Sequence, residues 1–125
     1  MPRYAILEAP SALGHVPEHR GVERAPAVLL DAGLADGLAA RRAGRVEAPG
    51  YSAERDPATE IMNPGAINAY SISLADAVAA VLDDGEFPVV LGGDCSILLG
   101  TMLALRRRGR YGLLYIDGDD ANPSR

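Results

Sequence analysis

This chain of 125 residues has one cysteine, two histidines and few basic side chains: 12 against 17 acids, a net charge of −5. One cysteine excludes an internal disulfide framework and suits a reducing compartment, so the expected location is cytoplasmic. The acidic balance argues against nucleic acid as a partner. The one basic cluster, Arg106-Arg107-Arg108, closes an expected helix before Gly109, where cations meet the negative end of the helix dipole. A membrane span needs about 20 consecutive apolar residues, and no segment reads as one, so no membrane partner is expected. The apolar start, Tyr4 to Leu7, is too short for the core of a signal peptide and reads as a strand. Internal repeats and low-complexity tracts are absent as well. What remains is 48% hydrophobic and 23% charged, the balance of a soluble globular chain that can bury one modest core.

Along the chain, Arg3 to Glu8 reads as a first strand. Ala9 to Glu23 carries Pro10, Gly14, Pro17 and Gly21 and reads as a loop. Pro26 fits the first turn of a helix with Val28, Leu29 and Leu30 inside and Gly33 as its stop. A short strand is expected near Arg42 to Glu47, then a loop from Pro49 to Met62 that holds Tyr51 and Asp56. The strongest helix begins at Asn63-Pro64, with asparagine as the cap. Ile67, Tyr70, Leu74, Val78, Val81 and Leu82 form its apolar stripe, and Gly85 ends it. A strand from Phe87 to Leu91 follows. Ser96 is the expected cap of a further helix that turns Leu98, Leu99, Met102, Leu103 and Leu105 toward a core. Tyr111 to Ile116 reads as a last strand. Alternating strands and helices predict an α/β fold with a mostly parallel sheet between helical layers.

Two apolar runs, Phe87 to Leu91 and Tyr111 to Ile116, stop abruptly at small and acidic residues. Such runs read as strands buried on both faces, and ligands bind at the carboxyl ends of parallel strands. Asp94, Cys95, Asp117, Asp119 and Asp120 therefore gather on one expected rim. Cys95, at a helix N-terminus, favours a reactive or ligating thiolate; the alternative is a small buried filler. Asp94 reads as a turn-forming residue, or as one that supports a neighbouring ligand, rather than as a ligand itself. His15 and His19 are four apart, but Pro17 lies between them and argues against a shared helix face. They read as loop residues, not as a metal pair.

Leu91-Gly92-Gly93-Asp94-Cys95-Ser96 resembles the Gly-Gly-Asp-His-Ser segment of the ureohydrolases, the arginase, agmatinase and formiminoglutamase family. Ile116-Asp117-Gly118-Asp119-Asp120-Ala121 is similar to that family's Asp-x-His-x-Asp segment, and Gly21 to Pro26, running on to Gly33, resembles its glycine-rich entry. The resemblance spans essentially the whole chain. It implies a three-layer α-β-α fold of which residues 1–125 form the N-terminal portion, apparently truncated before the C-terminal half. It implies two Mn²⁺ ions that activate a hydroxide toward a linear guanidino or amidine substrate, in an enzyme that is a homo-oligomer. Asp117 matches a metal ligand. Asp119 stands where the family has histidine, Ala121 where it has aspartate, and Cys95 where it has histidine. A thiolate is soft and would bias a site toward Zn²⁺. The metal set Asp117, Asp119 and Cys95 is thus incomplete, and the expectation is a ureohydrolase-like chain that is inactive alone.

Leu113 to Asp119 is also similar to the nucleophile motif of haloacid-dehalogenase-like phosphatases, with Asp117 as nucleophile and Asp119 as general acid. That family places the motif near the start of its domain, and the upstream blocks would stay unexplained. A non-catalytic, degenerate paralogue is the third reading.

Overall fold

The computed structural model describes residues 2–15, 21–50, 55–59 and 63–117. Its centre is strand β1 (Tyr4–Ala9), flanked by β2 (Arg41–Arg45) and β3 (Phe87–Gly92) in the order β2-β1-β3, both parallel to β1. Helices α1 (Ala25–Asp31) and α2 (Leu34–Leu38) link β1 to β2; α3 (Pro64–Asp83) carries the chain back over β1 to β3, and α4 (Ile97–Arg108) follows. The two crossovers run in opposite directions across the sheet. Because parallel crossovers are right-handed, they place their helices on opposite faces. Side-chain alternation along β1 agrees: Ala5, Leu7 and Ala9 join the core cluster of α3, whereas Ile6, 1% exposed, points the other way. The expected layered α/β architecture is the one found.

Tyr70, Leu74, Ala75, Val78 and Val81 of α3 are at most 3% exposed and fill the core with Ala104 of α4. Fully burying side chains of the size of Leu74 or Val78 contributes about 1.5–3 kcal/mol each. By length and composition the 20 residues of α3 suffice to cross a membrane, which corrects the reading that no segment does. Its buried stripe is nevertheless taken up by the sheet and α4.

α4 keeps its expected face in part: Leu103 packs against the core cluster and Leu98 and Leu105 are half-buried. Gly100, Thr101 and Ala104 are the buried residues, while Leu99 and Met102 are 59% and 49% exposed. The reason is distance. A Cβ at Gly100 would lie 2.7 Å from the carbonyl oxygen of Ser71 and 2.9 Å from Cβ of Leu74. Helices that approach so closely leave room for small side chains only. Arg107 and Arg108 then reach Asp76 and Asp83 across the same pair. In α1, Val28 and Leu29 are exposed as well, against expectation, and Pro26 is the buried residue.

The two sheet edges differ in kind. β2 is short, carries Arg41, Arg42 and Arg45, and is bulged: Ile6 pairs with Arg42 but Leu7 with Gly44. Arg41 grips Glu86 through Nε (3.1 Å) and Nη2 (2.6 Å), and Glu8 lies 3.7 and 3.8 Å from Arg42 and Arg45. Exposed pairs of this kind contribute about 0–1 kcal/mol; charge, shortness and the bulge guard the edge against further strands. β3 is uncharged, Phe-Pro-Val-Val-Leu-Gly.

The expected last strand does not form. Residues 111–117 make no ladder, and Leu114 and Ile116 are 81% and 85% exposed. An apolar pattern is sufficient for a strand only where a neighbour completes its hydrogen bonds, and none lies beside this segment among the described residues.

Candidate active site at the strand ends

Beyond β1 the chain stays buried from Pro10 to Leu13, so its backbone polar groups need partners inside the protein. Ser11 N–H donates to Ala9 O (2.8 Å), Leu13 N–H donates to Ser11 Oγ (3.2 Å), and Leu13 O accepts from Asn63 Nδ2 (2.9 Å). The Asn63 side chain is thus drawn to the loop. It makes no cap bond to α3, and its own backbone takes the left-handed conformation at φ 51.

Asp94 fastens β3 to this loop. It is 3% exposed; its N–H donates to Ser11 O (2.9 Å), Oδ2 accepts from Gly14 N–H (2.7 Å) and Oδ1 from Ser96 Oγ (2.8 Å). Ser96 therefore serves Asp94 and makes no side-chain cap bond to α4. The turn-forming reading of Asp94 holds. Gly93 makes the approach feasible. The peptide before it is cis, its φ is +81, and a Cβ there would run into Ala9 O and lie 2.9 and 3.0 Å from Ser11 N and O.

This clasp leaves Cys95 exposed at the head of α4, which excludes the buried-filler reading. Cys95 Sγ lies 3.2 Å from Tyr115 Oη. The bond to Cys95 is the chief cause that pushes the Tyr115 phenol up to about 12, and Asp117 adds to it through its charge and a hydrogen bond. The structure thus sets Tyr115 Oη against Cys95 at the head of α4, with Asp117 two residues further along the chain. Asp119, Asp120, Ala121, His19 and Tyr51 lie outside the described residues. His15 is half-buried in the first loop, and Asp56 accepts from Thr59 N–H and Oγ1, both at 2.8 Å, as a turn residue.

Tyr115 is the member of this cluster that the sequence reading missed. Its place two residues before Asp117 puts both side chains on one face of an extended segment, and that spacing was the available signal.

Among the described residues, no three of His, Cys, Asp and Glu come together as metal donors. Cys95 and Asp117 alone do not fit a binuclear manganese centre, which calls for several hard oxygen and imidazole ligands per ion. A half-open hollow of about 160 Å³ lies at the same strand ends, between Leu13, Glu23 and Glu47. A larger one, about 360 Å³, lies at the opposite ends, walled by Arg3, Tyr4, Leu38 and the Arg41–Glu86 pair. It lies away from the strand ends where Cys95 and Asp94 sit, and Arg41 and Glu86 in its wall pair with each other.

Residues 2–118 match the Arginase family. The chain belongs to the arginase family. It is 30% identical over 122 residues to a formimidoylglutamase of Rhodococcus jostii, covering 81% of this chain and 38% of that protein. To an arginase of Eremothecium gossypii it is 33% identical over 107 residues, 78% of this chain and 27% of the relative. Among solved structures, the arginase of Bacillus caldovelox superposes with a TM-score of 0.77 at 28% identity, over 86% of this chain and 38% of the other. The Bacillus subtilis arginase gives 0.73 at 26% identity, with 86% and 36% covered. The chain therefore spans less than two-fifths of the length of these relatives.

Proposed function

We propose that this chain supplies part of the active site of a ureohydrolase-type hydrolase acting on a linear guanidino or formimidoyl compound, and that it does not turn over substrate alone. The observation that carries this reading is the exposed Cys95, with Tyr115 Oη 3.2 Å away, at the carboxyl end of β3 in an arginase-family fold. Relatives named arginase and formimidoylglutamase support the substrate class. When bound, a metal pair would supply an activated hydroxide and a Lewis acid. The described residues offer two donors for it, Cys95 and Asp117, and with Asp119 beyond them the set remains short of Mn²⁺. In this reading the missing donors come from polypeptide outside these 125 residues, Zn²⁺ is the metal Cys95 favours, and the completed enzyme is cytoplasmic and oligomeric. The chain's own contribution is positional: the Asp94 clasp fixes the head of α4 against the first loop, and Tyr115 meets Cys95 there.

The test is turnover of arginine, agmatine, guanidinobutyrate and formiminoglutamate, read as urea, ammonia or formamide release with Mn²⁺ or Zn²⁺ present. The 125-residue chain should give none. Fused to the C-terminal portion of a family member and carrying Cys95→His, Asp119→His and Ala121→Asp, it should turn over one of them and lose this with Asp117→Ala. Turnover by the unmodified chain that Asp117→Ala abolishes would contradict the partial-site reading. Hydrolysis of phosphate esters instead would favour the phosphatase reading of Asp117 and Asp119.

A further inference from the structure

We propose that Asn63 is a positioning residue of the rim: it fixes the peptide unit between Leu13 and Gly14, and through that unit the Asp94 turn that presents Cys95. The two ends of one peptide are held by side chains from different elements. Leu13 O accepts from Asn63 Nδ2 at 2.9 Å, and the N–H that Gly14 contributes to the same peptide donates to Asp94 Oδ2 at 2.7 Å. In a planar trans peptide the C=O and N–H point in opposite directions. Asn63 and Asp94 therefore grip the plane from opposite sides. Turned over, the plane would set Leu13 O against the Asp94 carboxylate.

The bonds also strengthen one another. A carbonyl that accepts a hydrogen bond makes the N–H of its own peptide a better donor, and away from water such chains polarise along their length. The chain here runs from the Asn63 amide through the peptide to the Asp94 carboxylate, whose other oxygen accepts from Ser96 Oγ at 2.8 Å. Cys95 lies between the two residues so held, Asp94 and Ser96.

The surroundings of Asn63 match this role better than that of a helix cap. Its residue is 7% exposed, and its side chain makes no cap bond to the helix it precedes. At φ 51 its backbone is left-handed, a conformation that asparagine tolerates better than most residues, and unlike glycine it brings a donor there. At the far end of the peptide, a Cβ on Gly14 would lie 2.5 Å from Asp94 Oδ2 and 3.6 Å from Cβ of Ser96. The peptide thus approaches the carboxylate too closely for a side chain. The positioning of Cys95 stands on these contacts; its bearing on catalysis rests on the proposed function.

Asn63→Gly in the full 125-residue chain tests it, because glycine takes this backbone conformation without strain and only the amide is lost. The Gly14 amide should exchange with solvent at least about tenfold faster, relative to the Leu74 amide within α3, than in the wild-type protein. In ¹H–¹⁵N spectra the Asp94 and Cys95 peaks should shift with it. Val78→Ala, which removes core volume and touches none of these bonds, should leave the exchange ratio and both peaks in place. Because Asn63 acts through Asp94, the losses in urea midpoint of Asn63→Gly and Asp94→Asn should combine to less than their sum. If Asn63→Gly does not fold, Asn63→Asp keeps the shape, puts an acceptor against Leu13 O, and should move the same exchange ratio and peaks. Unchanged Gly14 exchange and Cys95 peak in a folded variant, the same changes in Val78→Ala, or additive losses with Asp94→Asn would each overturn the inference. These spectra do not depend on what the rim binds, so failure here and failure of the turnover assays are separate results.

Discussion

Replacing Gly93 with alanine should destabilise this chain by several kcal/mol, on the order of 4, enough to remove most of its native population. Two effects combine. At φ +81 a side chain strains the backbone, and the added Cβ would enter the space of Ala9 O, Ser11 N and Ser11 O. These are backbone atoms of a buried loop, so no side-chain rotation relieves the overlap. Relief would require β3 and the β1 loop to part, which breaks the bond from Asp94 N–H to Ser11 O. Gly65→Ala is the matched control: it lies in the first turn of α3 with nothing within 4 Å of a new Cβ, and helix propensity there favours alanine. Urea denaturation of the three proteins checks the contrast. Equal midpoints would show that the close approach at Gly93 is not a constraint.

Asp94→Ala is the second large effect, expected at about 3–5 kcal/mol. The carboxylate accepts from Gly14 N–H and Ser96 Oγ while 3% exposed. Hydrogen bonds to a charged acceptor contribute about 1.5–3 kcal/mol each, and both are lost together in the part-buried clasp. Asp94→Asn keeps the shape and one acceptor oxygen, so it should lose roughly half as much. The same substitution frees the turn that presents Cys95, and the thiol should then react with a neutral alkylating reagent at an altered rate. A loss below about 1 kcal/mol for Asp94→Ala would show that the clasp contributes little.

These two residues also show how far the sequence was legible. β1, α3 and β3 were readable because strong local signals and tertiary packing agree there: an apolar run, a helical stripe, and prolines and glycines at the ends. The Asp94 turn was readable from a glycine pair ahead of a short acidic side chain. Where tertiary distance decides, the pattern misleads. Gly100 brings α4 so near Ser71 and Leu74 that small residues take the core positions and Leu99 and Met102 face outward. Asn63 and Ser96 look like caps, yet their side chains find better partners in Leu13 O and Asp94. Tyr111 to Ile116 has the composition of a strand and lacks the neighbour that would make it one. At the site, Cys95 and Asp117 were visible as chemistry-bearing residues at the ends of apolar runs. Tyr115, which meets Cys95, was not, because a tyrosine inside an apolar run looks like core.

Isothermal titration with Mn²⁺ and with Zn²⁺, on the wild-type chain and on Cys95→Ser and Asp117→Asn, addresses the central claim most directly. With a thiol and a carboxylate as the donors this chain contributes, it should bind Zn²⁺ at least about tenfold more tightly than Mn²⁺. Cys95→Ser should remove that preference, and Asp117→Asn should weaken both metals. Tight binding of Mn²⁺ that Cys95→Ser leaves unchanged would contradict the assignment of Cys95 and Asp117 as the donors this chain contributes.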